Sequence, residues 1–443
     1  MKVFTLAAAF FTVASVAFAD SYVAQSCNET MRCPEEYPCC SVDGICGTGN
    51  YCLQCNPKFS FNSTACLAMP VCKSGKTLFD DVDKLLDVDT YLGNSSESDW
   101  TYSGYVLDYE NSTILAMPKY SGGTVISSTF YVWYGKVTTK FKSSHLGGVV
   151  SSSILYSNVQ DEIDFEFIGS NLTYPQTNYY YEGVLNYTNM IPLESSDTFE
   201  NWHTYEVDWT EDYITWSIDG GVSRTLNKND TYNATDDSYY FPQTPSRIQL
   251  SIWPGGNSTS ANGTKEWAGG EINWDAPDIS DPGYYYAMLE SIEVDCYDPP
   301  ASTKKTGSKS YRYVSNDDFS EHEVEITDDQ TWISSLGNTG FNPNGTEPEE
   351  ESSSSSSSSF SSTSKSTTHT TIEKTIVSSN STYLTTFVSS YAATEAETST
   401  NSYSSGFLQN INSNVTSSKN GASSLSLINS LLAGCLMFLF SLF

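Results

Sequence analysis

The sequence predicts an all-β fold: a two-sheet antiparallel β-sandwich of jelly-roll type, preceded by a small disulfide-rich module. Three observations lead there. Residues 73–300 contain repeated runs of period two, separated by Gly, Asn and Ser turns. Long stretches of helical period are missing from the same region. Ahead of it, cysteines crowd at Cys27, Cys33, Cys39, Cys40, Cys46, Cys52, Cys55, Cys66 and Cys72.

Residues 1–19 carry Lys2, an apolar run from Val3 to Phe18 and the small-residue exit Ala17-Phe18-Ala19. That layout is a secretory signal peptide cleaved after Ala19, and its apolar run is short for a membrane span. Residues 20–72 are too few to fold on an apolar core alone and must rely on disulfides formed in an oxidising compartment. The crowded cysteines are odd in number. Cys296 makes the set even, and Cys435 lies in the apolar tail. One bridge is therefore expected between the Cys-rich segment and Cys296, with the connectivity left open. Sequons at Asn28, Asn62, Asn94, Asn111, Asn171, Asn186, Asn229, Asn233, Asn257, Asn262, Asn344, Asn380 and Asn414 fit a glycosylated, secreted chain.

Within 73–300, clear period-two runs cover 135–142, 204–209, 213–218 and 247–253, and Asp219-Gly220-Gly221 reads as a hairpin turn. Many such strands in one region suit two packed sheets. Residues 301–420 are expected to form a disordered, O-glycosylated stalk. From about Glu347 the composition turns to Ser and Thr, with a serine run over 352–359. Asn420-Gly421-Ala422, a short spacer and the apolar tail 425–443 make a GPI attachment signal with Asn420 as the anchor residue, 421–443 being removed. The alternative is a C-terminal transmembrane helix, but no basic residue follows the tail to hold a cytoplasmic end.

The formal net charge is −32 in 443 residues. Phosphate contacts need Lys and Arg, so nucleic acid is excluded as a partner. A neutral polysaccharide is indifferent to that charge. The aromatic content of 14 % suits both a sugar-stacking groove and a large β core.

Asp161-Glu162-Ile163-Asp164-Phe165-Glu166-Phe167 alternates acid with apolar. On a strand, Glu162, Asp164 and Glu166 share one face, each step ~6.7 Å, while Ile163, Phe165 and Phe167 face the core. Crowded carboxylates repel and raise one another's pKa values. A solvated acidic face is the alternative. Retaining glycoside chemistry needs two carboxyls roughly 5–5.5 Å apart, one on each side of the anomeric carbon. Cα atoms at i and i+4 of a strand are about 13 Å apart, a gap that two long glutamates leaning together can largely close. Aspartate in the middle position can hold the nucleophile by a shared proton.

This strand resembles the catalytic strand of glycoside hydrolase family 16, a β-jelly-roll family. The resemblance continues in order through Gly135-Lys136-Val137, the run 199–209, Trp216 to Gly220, Ile252 to Gly256, Trp267 to Trp274 and Cys296 to Pro299. That set is similar to the fungal Crh (Congo red hypersensitive) branch. With a Cys-rich head, a Ser-rich stalk and a GPI signal, the whole chain resembles its Crh2/Utr2-like subgroup. The resemblance implies a cell-wall transglycosylase that grafts chitin onto β-glucan, with Glu162 as nucleophile, Glu166 as acid/base and Asp164 assisting. It implies further that Trp253 and Thr264 lie near bound sugar, and with Gln249, which shares the Trp253 strand face, and Glu166 they are the candidate sugar-binding residues. Arg247, Gln249, Ser251 and Trp253 alternate on one strand face. A plain endo-β-glucanase or chitinase of the same fold is a rival reading, and a non-catalytic wall lectin is another.

Cys39-Cys40-Ser41-Val42-Asp43-Gly44-Ile45-Cys46-Gly47 and Tyr51-Cys52 resemble the hevein-type chitin-binding module. Asp43 and Ile45 stand where such modules carry sugar-stacking rings, and Ser41 and Tyr51 remain. Weak chitin binding is expected, with a structural cap as the alternative. His203 is expected to be structural. No metal or other cofactor is expected. The expected partners are chitin as donor, β-glucan as acceptor, and the membrane through the anchor.

Overall fold

The computed structural model describes residues 25–345 and a short strand pair, Val377–Ser378 and Ser381–Thr382. The expected leader 1–19, the serine run 352–359, Asn380, Asn414, Asn420, the tail 421–443 and Cys435 lie outside the described residues.

Where one side of a strand packs inward and the other meets water, alternation of sequence becomes alternation of burial. Gly135–Lys142 and His203–Trp209 show that pattern residue by residue. Such strands assemble into two eight-stranded sheets. The first runs Gly221–Asn227, Tyr213–Ile218, His203–Trp209, Gly135–Lys142, Tyr284–Cys296, Ser112–Pro118, Tyr105–Tyr109, with Gly75–Leu78 also pairing Tyr284–Cys296. The second runs Ile191–Pro192, Gln176–Tyr180, Glu162–Ile168, Val150–Ser157, Ser246–Trp253, Thr124–Ser128, Trp100–Ser103, Leu86–Asp87. Neighbours far apart in sequence, such as Val150–Ser157 beside Ser246–Trp253, are the crossed connections of a jelly roll. Between the sheets, Phe141, Tyr205 and Trp216 of the first meet Ile163, Phe165 and Phe167 of the second. The Phe167 and Tyr205 rings are 4.7 Å apart edge to face, and Phe141 lies 5.4 Å from Phe167. Two residues close the 213–227 hairpin. Asp219 and Gly220 take φ of 51° and 80°, the left-handed pair of a type I′ turn.

The head is held by Cys27–Cys40, Cys33–Cys46, Cys39–Cys52 and Cys55–Cys66. A fifth bridge, Cys72–Cys296, joins its end to the last long strand of the sandwich.

Residues 301–345 correct the expected stalk boundary. They are folded: Ser310–Tyr313 and Val324–Thr327 pair with each other, and Ser310–Tyr313 also pairs with Met69–Pro70. Tyr311, Tyr313, Phe319, Val324 and Ile326 are buried in the sandwich core cluster. Ile333 enters the core of the head beside Cys39 and Cys52. The apolar members of Ser-Tyr-Arg-Tyr and Val-Glu-Ile-Thr sit at strand period, a signal submerged when 301–420 is averaged as one polar segment.

Candidate active site

With Ile163, Phe165 and Phe167 in the core, Glu162, Asp164 and Glu166 must project from the opposite face of the second sheet. The register then sets their neighbours. Glu162 lies between Tyr156 and Tyr180, Asp164 between Ile154 and Asn178, Glu166 between Ser152 and Gln176. One strand further, Arg247, Gln249 and Ser251 continue those three rows, and Trp253 starts a fourth beside Val150. This is no solvated acidic face. Glu162 is 7 %, Asp164 0 % and Glu166 3 % exposed.

Burial of this depth disfavours charge. It pushes Glu162 up to about 8, helped by the charge of Glu166 and opposed by a hydrogen bond with Asp164. Burial and the Glu162 charge raise Asp164 well above its ordinary value, with Arg224 pulling the other way. Among the described residues, no hydrogen-bond donor serves either oxygen of the Asp164 carboxyl. An ionised Asp164 would therefore be dry and unsupported, whereas a protonated one donates to Glu162. When the pair carries a single proton, that proton belongs on Asp164 and the ionised member is Glu162. From beneath, the Trp216 indole donates to the Asp164 carbonyl at 3.0 Å, pinning the middle of the strand to the other sheet.

Two tryptophans flank the Glu166 end. The Trp253 indole donates to Ser152 Oγ at 3.2 Å, and that of Trp267 to Gln176 Oε1 at 2.8 Å. Their rings stack 6.0 Å apart. Ser152 and Gln176 are the two cross-strand neighbours of Glu166, so the indoles are tied to the last carboxylate row. Gln249 stands in the Asp164 row, two strands away. Thr264 sits on the short helix Asn262–Trp267, three residues before Trp267. At the other end Asp161, fully buried, accepts four hydrogen bonds: from Glu182 N–H at 2.9 Å, Gln243 N–H at 2.9 Å, Thr244 N–H at 3.0 Å and Thr244 Oγ1 at 2.6 Å. Burial still outweighs them and lifts its pKa to about 6.

His203 lies on the first sheet, its Nδ1 2.6 Å from Asp219 Oδ2 and its Nε2 2.9 Å from Ser196 Oγ. It braces the Asp219 turn. In the head, the Tyr51 ring lies flat enough on Gly47 that a Cβ there would meet it at 2.4 Å. Asp43 is exposed, and Ile45 bridges Ser26. None of the sequon asparagines among the described residues is buried.

Comparison with known proteins agrees with this geometry. The model of glycosyl hydrolases family 16 matches residues 94–269. Congo red hypersensitive protein 2 of Saccharomyces cerevisiae is 57 % identical over 72 % of this chain and 69 % of its own length. Crh-like protein UTR2 of Candida albicans is 50 % identical over 74 % of this chain and 72 % of its own. A solved Crh5 transglycosylase in complex with NAG superposes with a TM-score of 0.50 at 29 % identity, covering 61 % of this chain and 99 % of that one. The chain belongs to the Crh family within glycosyl hydrolases family 16.

Proposed function

We propose that this Crh-family glycosidase is a retaining transglycosylase that cleaves a chitin-type donor and transfers it to β-glucan. The observation that carries this is the row Glu162, Asp164, Glu166 on one buried sheet face with Trp253 and Trp267 beside its Glu166 end. Glu162, ionised, attacks the anomeric carbon. Glu166 gives its proton to the leaving oxygen, and a glycosyl-enzyme forms. Glu166 then takes the proton from an incoming sugar hydroxyl, which displaces Glu162. Asp164 keeps its proton throughout and steadies Glu162 by donating to it. Trp253 and Thr264, with Trp267, hold sugar rings at the Glu166 end, where indole faces offer stacking area, and Gln249 binds sugar from the Asp164 row. Transfer outruns hydrolysis when an acceptor sugar is held in line, since well-oriented reactants reach effective molarities of about 10⁵ M or more.

Incubating a labelled chitooligosaccharide with and without β-glucan, followed by mass analysis, tests this reading. Coupled chitin–glucan products support transfer. Reducing ends alone would make the protein a hydrolase.

The compartment belongs to the same proposal. The signal 1–19 sends the chain out of the cell, and Asn420 takes a GPI anchor that keeps it at the outer face of the membrane and in the wall. Five disulfides fit an oxidising compartment. Truncation before Leu425 should release the protein to the medium, and retention of the truncated form by membranes would contradict the anchor.

A further inference from the structure

The nucleophile strand and its neighbour Gln176–Tyr180 run antiparallel, and both end at one interlock. Tyr180 pairs Glu162, and the turn 181–184 follows it directly, closed by a bridge between Tyr181 and Val184. That turn docks on the two residues ahead of Glu162. Gly183 N–H donates to the Gln160 carbonyl at 2.8 Å, and Glu182 N–H to Asp161 Oδ1 at 2.9 Å. The fit is tight: a Cβ on Gly183 would meet Gln160 Oε1 at 2.7 Å, and Gln160, Glu182 and Gly183 all have positive φ. Such backbone persists only where its surroundings impose it.

One of those surroundings is the Cys-rich head. Lys58 Nζ lies 2.9 Å from Glu182 Oε2, with both side chains largely buried. Lys58 is held rigidly. Its N–H donates to Asn56 Oδ1 at 2.9 Å, the Phe59 carbonyl next to it accepts from Cys33 N–H, and Cys55–Cys66 staples the loop. The head itself is fixed to the rest of the protein by residues 301–345. Gly49 N–H donates to the Asn338 carbonyl, Gly340 N–H to that of Ala65, and Ser63 N–H to Asn316 Oδ1 at 2.8 Å. Thr48 and Gly49, beside Tyr51, are thus occupied by the 336–338 segment.

We infer that the head is a working part of the catalytic unit: Lys58 is a positioning residue that acts through Glu182 and Asp161 on Glu162. This rests on the proposed role of Glu162 as nucleophile. The physical step is electrostatic and mechanical together. Asp161 faces Glu182, Tyr134, Tyr181 and Tyr313, none of them cationic. Without Lys58, the Glu182 carboxylate stands unneutralised beside Asp161. Asp161 then takes a proton more readily and releases its grip on the turn. Glu162, the next residue, loses its fixed position on the sheet face. Small misplacements of a reacting group are costly to rate and cheap to binding, because the sugar contacts at Trp253 and Trp267 lie at the far end of the strand.

The test uses the full chain and a chitooligosaccharide donor. Lys58→Met should lower kcat about tenfold and leave the donor KM within about twofold, with an unchanged melting temperature because the remaining head contacts stay. Lys58→Arg should keep wild-type kcat. Lys58→Glu should fall further than Lys58→Met, and adding Glu182→Lys should restore most of the loss by rebuilding the pair with reversed sign. Unchanged kcat in Lys58→Met overturns the inference. So does a loss in KM alone, which would make the head a sugar-binding wall, or a loss that the swapped pair fails to restore. If wild-type protein turns over no chitin donor at all, the proposed function fails instead, and the two failures are told apart in the same plate.

Discussion

Replacing Glu162, the proposed nucleophile, should make the protein more stable while it abolishes turnover, and the gain should grow with pH. In the fold, burial lifts the Glu162 pKa from 4.5 to about 8. An acid with a raised folded-state pKa binds its proton more tightly folded than unfolded. Its contribution to stability is fully present below the unfolded pKa and is lost as pH rises toward the folded one. Each unit is worth about 1.4 kcal/mol, so between pH 4.5 and pH 7 wild-type protein loses roughly 3 kcal/mol through this group. Glu162→Gln does not titrate and loses nothing. The difference in stability between variant and wild type should therefore rise by up to roughly 3 kcal/mol from pH 4.5 to pH 7, Asp164 sharing part of the effect. Urea unfolding of both proteins at the two pH values, disulfides intact, reads that increment directly. An increment near zero, or one of opposite sign, would refute the claim that the carboxylate face is dry enough to hold back ionisation.

Other expectations follow from the same contacts. Glu166→Gln should slow turnover of sugar leaving groups by about 10²–10⁴-fold yet still allow a donor with an activated leaving group to load the enzyme, as burst kinetics would record. Asp164→Asn keeps a neutral donor toward Glu162 and should reduce kcat less than either glutamine variant; a loss as large as theirs contradicts its assisting role. Because Glu162 must be ionised and its pKa is raised, the acid limb of kcat/KM in wild type should lie above the ordinary glutamate value of about 4.3. Trp253→Ala should raise the donor KM by roughly 2- to 10-fold, the worth of one aromatic contact, with a smaller change in kcat.

The carboxylate strand was legible because its alternation is local. Acid and apolar positions separate by parity, and the burial of Ile163, Phe165 and Phe167 leaves the three acids no other face. The cysteine count likewise demanded a bridge to Cys296 without naming Cys72. What a single sequence withholds is register. Gln176, Asn178 and Tyr180 flank the three acids only because of how two strands pair, and Gln-Thr-Asn-Tyr-Tyr carries no sign of that. Trp267 reaches Gln176 because a six-residue helix turns it back, again a tertiary fact. Asp161 looked like one more acid in a run, and its role as the acceptor of four hydrogen bonds depends on loops 21 and 82 residues downstream. The strands within 301–345 are hidden for a different reason: two short runs are diluted by the polar segment that follows them.

The central claim is that Glu162 carries the sugar and a glucan hydroxyl removes it. The most direct measurement is intact and peptide-level mass analysis of Glu166→Gln protein after loading with a chitooligosaccharide donor bearing an activated leaving group. The account predicts one added glycosyl mass on the peptide containing 161–167, localised to Glu162, that persists when β-glucan oligosaccharide is added because the variant lacks the base, whereas wild type converts the same donor and glucan into a coupled product. Label on another residue, no covalent adduct in a protein that still cleaves the donor, or an adduct in wild type that only water removes would contradict it.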